Sequence, residues 1–197
     1  MMKIFSKTFL IAITVLVMNS CGSNDNDPSN PCETLNSPVV QAMATLISNT
    51  TDYIDEAEWM DLETHEYTIQ INTNGEICSI GYQNPSTYTG SYTMEITAPG
   101  GTYSGVHTFS QTATQYIAIP SITVVSGDVI VVKRTILPGY SLLDETVGRT
   151  IRRTNSAPIP FPLTLTNVVF ISSNFYGAGG PVPNIAIPYI ALGFTAL

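Results

Sequence analysis

Apolar and polar residues alternate along most of the chain after residue 66. The first such run places Tyr67, Ile69 and Ile71 on one side and Thr68 and Gln70 on the other. Strict alternation of this kind is typical of a half-buried β-strand. Short apolar or alternating runs, separated by turn residues, recur at residues 77–83, 91–97, 106–110, 116–119, 122–125, 129–136, 163–172 and 185–197. Short strands at this spacing predict an all-β sandwich or barrel, and we favour an antiparallel β-sandwich.

Two segments before the alternating region have less definite patterns. Residues 39–48 carry an apolar stripe that fits either a helix or a first strand, because periodicity cannot decide so short a run. Residues 51–66 hold seven of the fifteen acidic residues, and Asp52 is a candidate cap for a short helix there. A calcium site at Asp52, Asp55 and Asp61 is the alternative, but the run lacks the spacing of a calcium loop. We expect a solvated acidic face instead of a metal site.

The amino-terminal segment has the organisation of a secretory signal. Lys3 and Lys7 precede an apolar run at residues 9–17, and Ser20 and Cys21 follow it. A charged start, an apolar stretch of this length and a small residue before the cut are typical of a cleaved signal peptide. The segment resembles bacterial lipoprotein precursors, which are cut before a cysteine that then carries lipid chains. This resemblance implies lipidation at Cys21 and a membrane as partner.

A polar stretch with several acids and prolines follows Cys21. Residues 22–27 resemble the acidic export signal that follows the lipidated cysteine in Bacteroidetes lipoproteins. This resemblance implies an outer-membrane lipoprotein exposed at the cell surface, with a periplasm-facing lipoprotein as the alternative. We therefore predict a signal peptide at residues 1–20, a flexible tether at 21–38 and a single β-sandwich domain at 39–197.

The charge of the chain limits its partners. Of 7 basic and 15 acidic residues, removal of residues 1–20 takes two lysines and no acid. The remaining 5 basic and 15 acidic residues give a net charge of −10, which disfavours nucleic acid as a partner. The basic residues all lie between Lys133 and Arg153, in and before a stretch predicted to be irregular, residues 137–162. Arg152 and Arg153 are a candidate anion site, but we expect this segment to pack near the acidic run and balance its charge.

Two cysteines remain besides Cys21, namely Cys32 and Cys78. In an oxidising compartment they could pair, and the bond would close a loop of about 47 residues and stabilise the fold by roughly 4 kcal/mol. The alternative is a buried, apolar Cys78 and a free Cys32. Two cysteines so far apart, with no other ligands in a recognisable pattern, do not make a zinc site.

A second resemblance covers residues 62–197. The turn glycines and apolar positions resemble a family of bacterial extracellular β-sandwich modules of unassigned function. The positions that carry the resemblance are Asn74, Gly75, Ile77, Ile80, Tyr82, Gly90, Tyr92, Met94, Tyr116, Ile122, Val124, Gly127, Asp128, Val132, Asn174, Tyr176, Tyr189 and Phe194. The resemblance implies a jelly-roll-like sandwich with no known catalytic residues.

Motifs of enzyme chemistry are not recognisable in the sequence. It contains no nucleophile elbow, no zinc-protease motif and no phosphate-binding glycine loop. His65 and His107 are isolated, and we expect each to be a surface or half-buried strand residue rather than a ligand or base. We therefore predict neither a cofactor nor an enzymatic activity. A carboxylate pair such as Asp55 and Asp61 would serve a hydrolase only if a cleft brought the two side chains together.

Aromatic residues in predicted loops are the better indication of function. Their rings offer flat apolar faces that can stack on sugar rings or anchor a partner, and the candidates are Trp59, Tyr88, Tyr103, Tyr140, Phe175 and Tyr176. The alternative is that each ring covers the edge of the core. The sequence thus predicts a non-catalytic surface-binding or accessory module with carbohydrate as a candidate ligand. The alternatives are a structural component of an envelope assembly, which would bind another envelope protein, and, third, a hydrolase of unknown type.

Overall fold

A computed structural model describes residues 32, 34–59, 62–86, 88–137, 148–177 and 179–197, with the side chains of residues 58 and 59 excepted. The predicted signal peptide, the predicted lipidation site at Cys21 and most of the predicted tether lie outside these residues, as do Asp61 and Tyr140. Trp59 lies at the end of a strand whose backbone is described, but its side chain is not. Among the described residues, no helix is long and apolar enough to cross a membrane.

One helix and thirteen strands form the described part of the chain. The helix α1 spans Pro38–Ser48, and the strands are β1 (Tyr53–Trp59), β2 (Thr64–Ile71), β3 (Gly75–Tyr82), β4 (Tyr92–Ala98), β5 (Gly101–His107), β6 (Gln115–Val124), β7 (Asp128–Ile136), β8 (Gly148–Arg153), β9 (Leu163–Leu165), β10 (Val168–Gly177), β11 (Gly180–Pro183), β12 (Ala186–Pro188) and β13 (Ala191–Ala196). All strand pairs are antiparallel. The predicted all-β, antiparallel sandwich is confirmed.

The sandwich packs one large sheet against two small ones. The large sheet has the order β11-β10-β2-β7-β4-β5, with β9 paired to β10, and the small sheets are β1-β8-β12 and β13-β3-β6. Tyr82 on β3 contacts Tyr92 on β4 edge to face, and Tyr67 on β2 donates a hydrogen bond to the Ile190 carbonyl next to β13. These contacts hold the layers together. The predicted alternation on β2 is confirmed, because Tyr67, Ile69 and Ile71 are fully buried.

The segment at residues 39–48, for which the pattern left helix and strand open, is the helix α1. Pro38 lies in its first turn, where a missing N–H costs nothing. Its apolar side, which includes Val39 and Met43, is buried in the core. Ordered packing begins before this helix, because Cys32 and Ser37 are also buried. The domain therefore starts earlier than residue 39, and the predicted tether ends earlier than residue 38.

The acidic and basic segments form neighbouring strands. The expected short helix at Asp52 is wrong, because Tyr53–Trp59 is the strand β1. The expected irregular stretch at residues 137–162 is also wrong in part, because it contains β8, which pairs with β1. Cross-strand ion pairs join Arg149 to Asp55 and Arg152 to Glu56. The expectation that the basic segment packs on the acidic run and balances its charge is confirmed.

Several strand boundaries differ from the prediction. The strand expected at residues 106–110 is β5, which begins and ends earlier, and the two expected at 116–125 are one strand, β6. The last predicted strand is divided into β12 and β13 by a short break, and the glycine-rich loop before it contains the end of β10 and β11. The strand expected at residues 163–172 is two strands, β9 and β10, and the all-β architecture is unaffected by these differences.

Cys32 and Cys78 form a disulfide with a Cα–Cα distance of 5.5 Å. The pairing that the sequence left open is thus present. It ties the residues that precede α1 to β3, the middle strand of a small sheet.

Candidate functional site

The structure separates the predicted stacking residues into buried and accessible ones. Tyr88 and Phe175 are buried in the fold, and the Tyr88 hydroxyl donates a hydrogen bond to the Ser91 carbonyl oxygen. For these two rings the expectation of a ligand-binding loop residue is wrong, since they fill space between strands. Tyr176 is 37% exposed, and its hydroxyl donates a hydrogen bond to Glu66 Oε1 at 3.2 Å. Tyr103 is partly exposed and lies on the edge strand β5.

Tyr103 and His107 form a flat aromatic surface, which we call the aromatic plate. The two side chains lie on the same side of β5, because they are four residues apart on a strand. Their ring planes are within 11° of parallel and their centroids are 6.0 Å apart. The tyrosine hydroxyl forms a hydrogen bond with the imidazole Nε2, so the rings lie edge to edge and not face to face. The pair therefore presents one nearly continuous plane.

Gly105 makes the aromatic plate possible. It lies midway between the two rings, and a Cβ atom at this position would lie 2.2 Å from Tyr103 Oη and 2.8 Å from His107 Nε2. Both rings thus pack flat across the backbone of a residue that has no side chain. Since both side chains remain partly exposed, their accessible surface lies on the side that faces away from Gly105.

The aromatic plate is neutral at physiological pH. Burial lowers the pKa of His107 below its ordinary value and raises the pKa of Tyr103 above its own, so the uncharged form of each ring is favoured. Apart from His107, β5 contains no acidic or basic residue. The ring of Phe109 is buried and meets His107 edge to face at 6.0 Å, which fixes one end of the plate. Such a surface can bind a ligand through an apolar, uncharged face of the ligand.

Asp52 and Asp55, two of the three residues of the alternative calcium site, have other partners. Asp52 accepts a hydrogen bond from the Asn49 amide at 3.0 Å. Asp55 accepts two hydrogen bonds from Arg149, at 2.9 and 2.7 Å. Within the described ranges, no group of three or more histidine, cysteine or acidic side chains is placed to hold a metal ion.

Arg152, one of the two candidate anion-binding arginines, is also occupied. Its guanidinium donates hydrogen bonds to Glu56 and to Ser156 Oγ. The guanidinium carbon of the neighbouring Arg149 lies 3.8 Å from the centre of the Tyr189 ring, and the same guanidinium forms an ion pair with Asp55. Both guanidinium groups therefore join β8 to β1, and that of Arg149 also contacts Tyr189, which follows β12.

The second histidine lies in the core, beside an arginine that the sequence did not single out. His65 and Arg134 are both fully buried, on the adjacent strands β2 and β7. Arg134 Nη2 contacts the His65 ring nitrogens at 2.8 and 3.0 Å, and Nη1 donates to the Glu63 carbonyl at 3.1 Å. The Arg134 guanidinium also lies 4.7 Å from the centre of the Tyr92 ring. The expectation that His65 is a surface or half-buried residue is wrong.

The sequence indicates Tyr103 as a candidate but not its partner. His107 is an isolated histidine in the sequence, and Gly105 belongs to no recognisable motif. The signal was present in the order Tyr103-Ser104-Gly105-Val106-His107, which places two rings and an intervening glycine on one side of a strand. Comparisons with protein-family models, with curated proteins and with solved structures found no match for this chain.

Proposed function

We propose that the protein is a non-catalytic carbohydrate-binding module of the cell envelope, and that the aromatic plate stacks on sugar rings. The observation that carries the proposal is the coplanar arrangement of Tyr103 and His107 over Gly105 on an edge strand. Sugar rings have C–H faces that pack against flat aromatic surfaces, while their hydroxyl groups stay in water or bond to polar side chains. A two-ring plane is large enough to support extended contact with such a face.

The negative charge of the chain and the neutrality of the plate disfavour charged ligands. The uncharged β5 and the neutral rings offer no partner for a charged group. The domain is strongly acidic, with 5 basic and 15 acidic residues after residue 20, so anionic polysaccharides would be repelled. A neutral glycan is therefore the ligand that we propose.

The alanine variant of Gly105 tests the plate without removing either ring. Gly105 does not have a positive φ, so alanine is compatible with the backbone at this position. The Cβ of alanine would, however, displace both rings. We expect Gly105→Ala to weaken glycan binding at least about tenfold, equivalent to about 1.4 kcal/mol. The measurement is a glycan-array screen of the mature protein in detergent, with and without calcium, followed by titration with the best neutral glycan.

Ser104→Ala is the matched control, because Ser104 is on the same strand with its side chain exposed on the other side. It should bind as the unaltered protein does. Equal binding by the two variants, or no glycan binding by the unaltered protein, would refute the plate as a carbohydrate site.

We also propose that Cys21 carries the lipid anchor and that the module is attached to the outer membrane, with its domain at the cell surface. The proposal rests on the sequence of residues 1–27, which resembles a lipoprotein precursor. Each buried methylene of an acyl chain contributes about 0.8 kcal/mol, so several chains hold firmly where one does not.

Replacing Cys21 with serine removes the thiol to which the lipid would be attached. We expect the Cys21→Ser protein to leave the membrane fraction, whereas Cys32→Ser, which removes a cysteine outside the lipoprotein signal, should remain there. Fractionation of cells followed by immunoblotting measures this distribution, and protease treatment of intact cells reports on surface exposure. Retention of the Cys21→Ser protein in membranes would contradict lipidation.

A structural role in an envelope assembly is the second candidate, and the open edge of β5 favours it. Among the described strands β5 pairs only with β4, and it exposes Thr102, Ser104 and Val106 with no proline or charge to protect the edge. An assembly joined through this edge would survive the Gly105→Ala change, because backbone pairing does not require the two rings. Loss of glycan binding in that variant therefore supports the binding module over the structural role.

A further inference from the structure

A shallow cavity of about 170 Å³ lies where two turns meet the start of α1 and the end of β13. Its lining consists of Asn36, Pro38, Gln41, Thr73, Thr166, Asn167, Phe194 and Ala196. The β2–β3 turn and the β9–β10 turn are joined there by a hydrogen bond from the Asn72 N–H to the Asn167 carbonyl oxygen at 2.7 Å. Four separate parts of the chain therefore converge on this cavity.

The lining combines two kinds of surface. Five residues offer uncharged amide or hydroxyl groups, and they are Asn36, Gln41, Thr73, Thr166 and Asn167. Pro38, Phe194 and Ala196 add apolar surface, and Phe194 is almost fully buried. No charged residue lines the cavity. Within the described part of the chain, none of the five polar side chains is engaged in a hydrogen bond to another protein group, so their polar atoms remain available to water or to a ligand.

Thr166 has a backbone conformation that is unfavourable for its residue type. Its φ is +51°, in the left-handed region. A β-branched residue is rarely found there, whereas glycine or asparagine would adopt it at lower cost. Residues held in such conformations are concentrated at functional sites, although they also occur in turns elsewhere. The position of Thr166 on the wall of the cavity makes it the residue to test there.

We propose that this cavity is a binding site for the acetamido group of an N-acetylated sugar. Such a group needs a hydrogen-bond donor and an acceptor for its amide and an apolar contact for its methyl. The asparagine and glutamine side chains supply donors and acceptors, and the Pro38, Phe194 and Ala196 surface receives the methyl. The absence of charge in the lining disfavours a carboxylate, phosphate or ammonium group. The volume is below that of sites that enclose drug-sized ligands, so one sugar unit enters and the rest of a glycan stays outside.

The site is independent of the aromatic plate. None of the lining residues belongs to β5, and the chemistry is hydrogen bonding to an amide and not stacking on a ring face. The inference therefore stands or falls separately from the proposed function of Tyr103 and His107.

The test compares N-acetylglucosamine with glucose as probes for the mature, full-length protein in detergent. Binding is followed by isothermal titration calorimetry, and folding by the thermal unfolding midpoint. We expect N-acetylglucosamine to bind more tightly than glucose, and Thr166→Gly to weaken that binding about fivefold, which corresponds to one hydrogen bond. The unfolding midpoint of this variant should not fall, since glycine relieves the positive φ.

Ser156→Gly is the matched control, because Ser156 has a φ of +59° and lies outside the cavity. It should bind N-acetylglucosamine within twofold of the unaltered protein. Gln41→Ala is a second variant, on an exposed helix position where alanine is favourable, and it should also weaken binding. Should one of the cavity variants fail to fold, the other still decides the outcome.

Two results would overturn the inference. One is equal affinity of the unaltered protein for the two probes. The other is binding of N-acetylglucosamine that Tyr103→Ala abolishes while Thr166→Gly and Gln41→Ala leave it intact, since the sugar would then occupy the aromatic plate. That second result would leave the proposed function standing. Conversely, if the cavity variants lose glycan binding while Gly105→Ala and Tyr103→Ala keep it, the result would support the cavity and refute the plate.

Discussion

Replacing Arg134 with alanine is expected to lower the free energy of unfolding by roughly 3–5 kcal/mol, the range for removing a large buried side chain. Arg134 is fully buried, and its guanidinium lies 4.7 Å from the centre of the Tyr92 ring while donating to the Glu63 carbonyl. Alanine would leave a cavity in the core and would remove the contacts of the guanidinium with the Tyr92 ring and the His65 ring nitrogens. Unfolding in urea, followed by circular dichroism, measures the change.

Two variants separate packing from charge at this position. Arg134→Met keeps much of the side-chain volume and removes the cost of burying a charge, so it should destabilise far less than alanine. Lys133→Ala is the neighbouring control: Lys133 is partly exposed and pairs with Glu95 at 2.8 Å, and its loss should cost at most about 1 kcal/mol. Equal destabilisation by Arg134→Met and Arg134→Ala would contradict the packing argument.

Breaking the Cys32–Cys78 disulfide is the second change with a large expected effect. The cysteines are 46 residues apart, and closing a loop of that size stabilises the folded state by about 4 kcal/mol, through the lower entropy of the unfolded chain. For a domain of this size, that corresponds to a fall in the unfolding midpoint of about 8–16 °C. Differential scanning calorimetry of Cys32→Ser measures the shift.

The double variant Cys32→Ser/Cys78→Ser is the control for this experiment. Either single change removes the same bond, so the double variant should unfold close to Cys32→Ser. A reductant should lower the midpoint of the unaltered protein and leave the double variant unchanged. An unaltered protein that unfolds at the same temperature with and without reductant would show that the bond contributes no stability.

The sheet architecture was predictable wherever one face of a strand is buried and the other is polar. The alternation at residues 67–71 predicts β2 in this way, and the residues 129–136 predict most of β7. The strands β1 and β8 were not recognised, because their alternation places acids on one strand and arginines on its partner, and each segment alone is typical of a solvated surface. The charges are balanced only when the two strands are paired, as in the ion pair between Arg152 and Glu56. Such cross-strand complementarity is invisible until the register is known.

The candidate site was predictable only in part, for two physical reasons. Burial of an aromatic ring depends on what packs over it, and Tyr88 is covered while Tyr103, in a similarly polar stretch, is not. The plate depends on the boundary of β5, which the sequence placed too late by several residues. Once β5 is known to contain Gly101–His107, the two rings and the glycine fall on one side. The cavity beside α1 had no sequence signal, because its lining comes from turns far apart in the chain.

The position of the disulfide decides how the domain would bear a mechanical load. With the lipid anchor that we propose at Cys21, a pull on the chain would reach the domain at Cys32, and the covalent bond would pass it directly to Cys78 on β3. That strand is hydrogen-bonded on both sides, to β13 and to β6, so the load is shared by two ladders of backbone hydrogen bonds. The helix α1 and the strands β1 and β2 lie inside the closed loop and are bypassed. In flowing liquid, a domain attached in this way would resist being unravelled from its anchored end.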